Sequence, residues 1–151
     1  MGTAATSSRR LLSVEELLGG RAVLQVGPRS ALDWVAVIRR GVPAAAVNAL
    51  VASLHLTQSE LARAVGISER TLVRRKREGT LNSEESGKLV RLARVVARAE
   101  EVFEDLGASL DWLKTPNAAL GGVTPFSLLD TDVGAESVLD TLGRIEHGVF
   151  A

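Results

Sequence analysis

The segment GISERTLVRRKREGTL, Gly66 to Leu81, places five positive charges between Arg70 and Arg77. The chain of 151 residues is neutral overall, with 18 Lys and Arg against 18 Asp and Glu, so this concentration is local. Guanidinium groups on one helix face can bind phosphate oxygens, and they can grip the O6 and N7 edge of guanine in a bidentate way. At about 100° per residue, with Ser68 as zero, Leu72 falls at about 40° and Val73 at about 140°, and both are expected to face a core. On the same wheel Arg77 falls at about 180°, Arg70 at about 200°, Arg74 at about 240° and Thr71 at about 300°. Three arginines therefore share the face turned away from Leu72, with Thr71 beside it. Their repulsion costs a few tenths of a kcal/mol (about 0.2–0.5) per i,i+4 pair, and an opposing polyanion removes it. Arg70, Thr71 and Arg74, near the start of the helix that Ser68 caps, would meet base edges, and Ser68 is itself a candidate DNA contact. Arg75 and Arg77 would meet phosphates, as would Gln58 and Ser59 at the start of the preceding helix. Lys76, at about 80° by the same count, would lay its stem along the core edge. The alternative is a solvated charged face; the segregation of the faces favours DNA.

Two elements must hold these side chains in place. TQSELARAVG opens with Thr57-x-x-Glu60, the spacing of a capping box, and closes at Gly66. Only Ile67 separates Gly66 from the next cap, Ser68, and SERTLVRRKREG ends at Gly79. Two short helices joined by a tight glycine turn, the second rich in Arg, form a helix-turn-helix pattern.

Around this pair the apolar residues recur at helical spacing. SALDWVAVIRRG reads as a helix from a Ser30 cap to Gly41, with Leu32, Val35, Ala36 and the Val37/Ile38 pair as its apolar side. VPAAAVNALVASLHL repeats at Val47, Leu50, Val51 and Leu54, and His55 is read as a packing residue at its end. From an Asn82 or Ser83 cap, a long helix carries Leu89, Leu92, Val96, Ala99, Phe103 and Leu106 as one stripe, a spine for both halves of the chain. RAVLQVG, residues 21–27, is a candidate for one short strand. Residues 1–29 are otherwise expected to be a partly ordered segment.

Hydrophobic residues make up 46% of the chain and aromatic residues 3%, with no Tyr, a vocabulary that suits an all-α fold. The absence of Cys excludes disulfides, thiolate zinc sites and a thiol nucleophile. No apolar run approaches the roughly 18–20 residues of a membrane span, so the reading is a cytoplasmic protein without a membrane partner. Charge is unevenly spread: residues 101–151 hold two positive and nine negative side chains. A basic middle and an acidic end point to two surfaces with different partners. Asp130, Asp132, Glu136 and Asp140 invite a metal reading, but helix starts attract acids anyway. Gly121-Gly122 has no following Lys and reads as a compact turn rather than a phosphate cradle. No catalytic arrangement of residues presents itself, and no cofactor is expected.

The block WLKTPNAALGGVTP, Trp112 to Pro125, and the terminal pattern LGRIEHG, Leu142 to Gly148, are more specific than any helix-turn-helix. Together with GISERTLVRRKREGTLNSEES they resemble the Xre/MbcA/ParS antitoxin family, and more narrowly the antitoxin of a bacterial Res–Xre toxin–antitoxin pair. The resemblance covers about residues 43–150. It implies a central helix-turn-helix, joined by a long helix to a C-terminal helical toxin-binding domain. The boundaries follow as a helix-turn-helix region over 30–106 and a toxin-binding domain over 107–151. It also implies operator binding, repression of the chain's own operon, and inhibition of a Res-domain toxin that consumes NAD or transfers ADP-ribose. In that family the last helix and tail are expected at the toxin's active-site entrance. Candidate toxin contacts are then Trp112, Asn117, Gly121 and Gly122, followed by Leu142, Arg144, Ile145, His147, Gly148, Val149 and Phe150. Arg144 is the only positive charge after Lys114; its two readings are a partner on the toxin or an ion pair with Asp140 one turn back. A homodimer is expected, because one short readout is too weak for an operator. Apolar surface on residues 30–54 or the Leu89–Leu106 stripe would supply the interface. The competing function is a helix-turn-helix regulator whose C-terminal third senses a small ligand.

Overall fold

The computed structural model describes residues 14–148. After a helical stretch at residues 14–17, the chain forms α1 (Gly20–Leu24), α2 (Ala31–Arg40), α3 (Ala45–Leu54), α4 (Gln58–Val65) and α5 (Glu69–Glu78). Next come α6 (Ser83–Phe103), α7 (Leu106–Leu113), two 3-10 turns (Ala118–Leu120 and Pro125–Leu128), and α8 (Asp132–Glu146). No strand is present among the described residues. The antiparallel bridges Pro43–Thr80 and Asn117–Val123 stand alone.

The expected strand over 21–27 is a helix in its first half, α1. A lone strand over these residues would leave its backbone N–H and C=O groups without a partner. As a short helix the segment needs no pairing strand: the Gln25 N–H closes its end on the Arg21 carbonyl at 2.8 Å, and Leu24 is buried, as are Val14, Leu17 and Leu18. This N-terminal unit packs on α3, which itself buries Ala46, Val47, Leu50 and Leu54. His55 is not a packing residue. It is exposed, takes a left-handed conformation (φ 52°) and caps α3 by donating its backbone N–H to the Val51 carbonyl.

In α2 the buried pair is Trp34 and Val37, with Ile38 half-buried. Leu32 is 79% exposed and Val35 38%, contrary to the expected apolar side. A helix can bury only one arc, and the arc carrying the indole removes the most apolar surface from water. Ser30 caps the helix as expected, accepting from the Asp33 N–H at 3.2 Å.

The 21-residue α6 is the spine: α2, α4, α7 and α8 all pack against it. Leu89, Leu92, Val96 and Ala99 of its stripe are fully buried, as are Val90, Ala93, Val95 and Ala97 between them. Phe103 is half-buried and meets the Trp112 ring at 5.7 Å. Asn82 and Glu85 form the capping box that starts α6, each accepting the other's backbone N–H. A second stitch joins the α2–α3 corner to the end of α5. Ala44 donates to the Gly79 carbonyl and Leu81 to the Val42 carbonyl, both at 2.9 Å. The Val42 N–H donates in turn to the buried Ser86 hydroxyl of α6 at 2.8 Å. These bonds set the angle at which α5 leaves the core.

Candidate functional site

The α4–α5 pair has the geometry its sequence implies. Thr57 and Glu60 close the capping box at 3.0 and 2.9 Å, and the hydrogen bond from the Thr57 backbone holds the Glu60 carboxyl below its usual range. Leu61 and Val65 of α4 and Leu72 of α5 are fully buried and weld the two helices to the core. Gly66 makes the turn in the left-handed region (φ 73°), where a side chain would be strained and a Cβ would stand 3.3 Å from the Asp130 carbonyl. Ser68 caps α5 by accepting from the Thr71 N–H at 3.1 Å, and its hydroxyl donates to the Thr71 hydroxyl at 2.8 Å.

The basic side chains of α5 divide into two sets. Arg70, Arg74 and Arg77 are exposed and make no ion pair among the described residues. Arg75, read from the sequence as a phosphate contact, belongs to the other set and is engaged by two carboxylates. Its Nε donates to Glu85 at 2.7 Å and its Nη1 to Glu78 at 2.8 Å. It faces inward because it lies at about 340° on the helix wheel, on the Leu72 side. Burial raises the Glu85 carboxyl, but the Arg75 hydrogen bonds and the Asn82 N–H outweigh it and hold the group below its usual range. Lys76 donates to the Gln58 side-chain oxygen, so those two long side chains lock α5 to the start of α4. Ser59, by contrast, is exposed. Thr71 is half-buried and already engaged with Ser68. Val73 is 47% exposed, not in the core. The inward arc runs only from Thr71 through Arg75 and Leu72 to Lys76, and Val73 lies beyond its edge among the arginines.

The C-terminal unit is a helix, a loop and a helix. Asp105 caps α7 through the Ala108 N–H at 2.7 Å, and Lys114 at its end donates to the Leu54 carbonyl at 2.9 Å. Asn117 organises the loop: its side chain accepts from Ala119 at 2.9 Å, and its backbone bonds Val123 and Gly122. Gly121 and Gly122 are the exposed tip of that turn. Thr124 caps and Pro125 opens a 3-10 turn, which packs on both α4 and α8. Thr131 then caps α8 through the Gly134 N–H at 3.0 Å. At Gly134 the backbone approach is so close that a Cβ would collide with the Leu128 carbonyl oxygen.

Two arginines of α6 that the sequence did not single out pin α8 at both ends. Arg91 reaches Asp132 at 2.6 Å and the Leu129 carbonyl at 3.0 Å. Arg98 holds Glu146 with two bonds, at 2.6 and 2.9 Å. The only sequence signal was their i,i+7 spacing on one side of the long helix. Leu142 is fully buried and packs in the core of the chain. Trp112 is half-buried against Phe103. Arg144, His147 and Gly148 are exposed and Ile145 is half-exposed; Val149 and Phe150 lie outside the described residues. Arg144 makes no ion pair with Asp140 among the described residues. Between α4 and the C-terminal unit lies an open cleft of about 490 Å³, with Leu56 and Phe126 among Glu60, Arg63, Lys114 and Asp130.

Residues 33–94 match the family model of the antitoxin Xre-like helix-turn-helix domain. Residues 98–148 match that of the antitoxin Xre/MbcA/ParS C-terminal toxin-binding domain. The chain is 42% identical over 108 residues to a protein of Yersinia enterocolitica named Antitoxin Xre, covering 68% of this chain and 73% of that one. It is 32% identical over 132 residues to the Prs ADP-ribosylating antitoxin of a Sphingobium species, covering 81% and 83%. Among solved structures it is similar to one of the M. tuberculosis MbcT–MbcA toxin–antitoxin complex, with a TM-score of 0.53 and 26% identity. That match covers 72% of this chain and 96% of the other. The helix-turn-helix followed by a pinned helix–loop–helix unit thus has its counterpart in sequence, and the chain belongs to the Xre/MbcA/ParS family of antitoxins, its C-terminal part being the toxin-binding domain.

Proposed function

We propose that this antitoxin neutralises a Res-domain toxin that consumes NAD or transfers ADP-ribose, and that it represses its own operon by binding operator DNA as a homodimer. The observation that carries the DNA half is the division within α5. Arg75 is held by Glu85 and Glu78, while Arg70, Arg74 and Arg77 stand exposed on one face and form no salt bridge among the described residues. Arg70 and Arg74 would read base edges, and Arg77 and Ser59 would meet phosphates. The toxin half is supported by the family match over 98–148. It is supported too by a relative with ADP-ribosylation in its name, a chemistry whose usual donor is NAD. Arg144, Ile145, His147 and Gly148, with the Gly121-Gly122 tip, would form the described part of the contact surface, continued by Val149 and Phe150.

The test has two arms. Co-expression with the product of the neighbouring gene is expected to yield a co-purifying complex and to preserve cellular NAD. A gel shift on the DNA upstream of the gene is expected to show a saturable, salt-sensitive complex. A neighbouring gene product that leaves NAD untouched when expressed alone removes the Res assignment. Absence of a shift at low salt removes the operator assignment.

A further inference from the structure

One aliphatic side chain stands among the arginines of α5. On the helix wheel the exposed arc runs from Glu69 through Val73, Arg77, Arg70 and Arg74 to Glu78, and every one of these residues is exposed. Leu72, the other aliphatic residue of α5, is completely buried, whereas Val73 is 47% exposed. Packing does not account for a valine there, since half of it is in water. Helix propensity does not account for it either, since β-branched residues are poorer helix formers than the Arg, Lys and Glu around it. Single exposed apolar residues are common on protein surfaces; this one is set apart by its place beside Arg70 and Arg77 on the face proposed to meet DNA. What valine supplies is two methyl groups held in nearly one rotamer on a helix. Arg70 lies three residues before Val73 and Arg77 four after it, so all three share one stripe of the helix surface.

In the major groove the apolar feature of the base edges is the C5-methyl group of thymine. We infer that Val73 packs against a thymine methyl, so that each half-site recognised by α5 contains a required thymine beside the positions read by Arg70 and Arg74. This inference rests on the operator-binding proposal and adds to it a second kind of readout, an apolar contact beside hydrogen bonds to base edges.

The experiment uses the full chain and the DNA upstream of its gene, with each thymine replaced in turn by deoxyuridine, which lacks only the methyl group. One thymine per half-site is expected to lose about fourfold in affinity on replacement, the value of one buried methyl. Val73→Ala is expected to bind the unmodified DNA several-fold more weakly and to become indifferent to uracil at that position. Its Tm is expected to match wild type, which separates a contact from a folding defect. A Val73→Ala protein that keeps wild-type affinity, or that still responds to uracil at that position, overturns the role of Val73 and leaves operator binding standing. Failure of the wild-type chain to bind the upstream DNA overturns both.

Discussion

Five cations lie within eight residues of α5, and their environments give them different expected phenotypes. Arg70→Ala and Arg74→Ala should each weaken operator binding by about 1–3 kcal/mol and relax base preference at one position. Arg77→Ala should weaken binding to all sequences alike and lower the salt slope by about one unit. Binding titrations on operator and scrambled DNA over a range of salt distinguish the two outcomes. Arg75→Ala should behave differently from all three. Its guanidinium bridges Glu78 and Glu85, so its loss should lower Tm and leave the salt slope unchanged. A fall in slope without a fall in Tm would return Arg75 to the DNA face. The charge run was legible in the sequence. The wheel also places Arg75 on the Leu72 side; that Glu85 receives it was not legible, because this partner comes from the next helix and the pairing depends on the angle between them.

At the scale of elements, the junctions carry the function. The start of α6 is held by the Asn82–Glu85 capping box, and the same carboxyl receives Arg75. Asn82→Ala should cost about 1 kcal/mol. The Glu85 carboxyl is held below its usual range, so its contribution is fully present above that range and is lost as pH falls through the lowered value. The stability difference between wild type and Glu85→Gln, followed by thermal melts, should therefore be flat near neutrality and vanish in acid. A difference that grows in acid would contradict this sign. At the far end of α6, Arg98 and Glu146 fasten the last turn of α8. Arg98→Gln should raise hydrogen exchange in that turn and weaken toxin binding, while leaving DNA binding intact. Gly134→Ala should be more disruptive, by about 1–3 kcal/mol, because the new Cβ meets the Leu128 backbone rather than a movable side chain.

At the scale of the molecule, the spine decides which surfaces remain for partners. The stripe from Leu89 to Ala99 is buried inside the chain, which removes it as a dimer interface. Within residues 30–54 the exposed large apolar residues are Leu32 and Val35. Leu32→Glu combined with Val35→Glu should shift sedimentation toward monomer and weaken operator binding, with Tm unchanged; a persistent dimer would place the interface elsewhere. The tail demands a careful deletion. Removing residues 145–151 also removes Glu146 and with it the Arg98 clamp, so a loss of toxin neutralisation would be ambiguous. Deleting residues 149–151 spares the clamp and should leave folding and DNA binding intact while NAD protection on toxin co-expression fails.

The helical register, the caps at Ser30, Thr57, Ser68 and Asn82, and the stops at Gly41, Gly66 and Gly79 were determined by the sequence itself. They depend on side-chain and backbone groups within a few residues of each other. The same holds for the exposed arc of arginines and for the acidic C-terminal third. Tertiary structure alone decided the rest. Residues 21–24 form a helix because, among the described residues, no second strand stands beside them to pair with. Leu32 is left in water because Trp34 takes the core, and Val73 because α5 buries a narrow arc. Arg91 and Arg98 became clamps because α8 returns along α6, bringing them to acids 41 and 48 residues further on, long-range contacts that no local periodicity records.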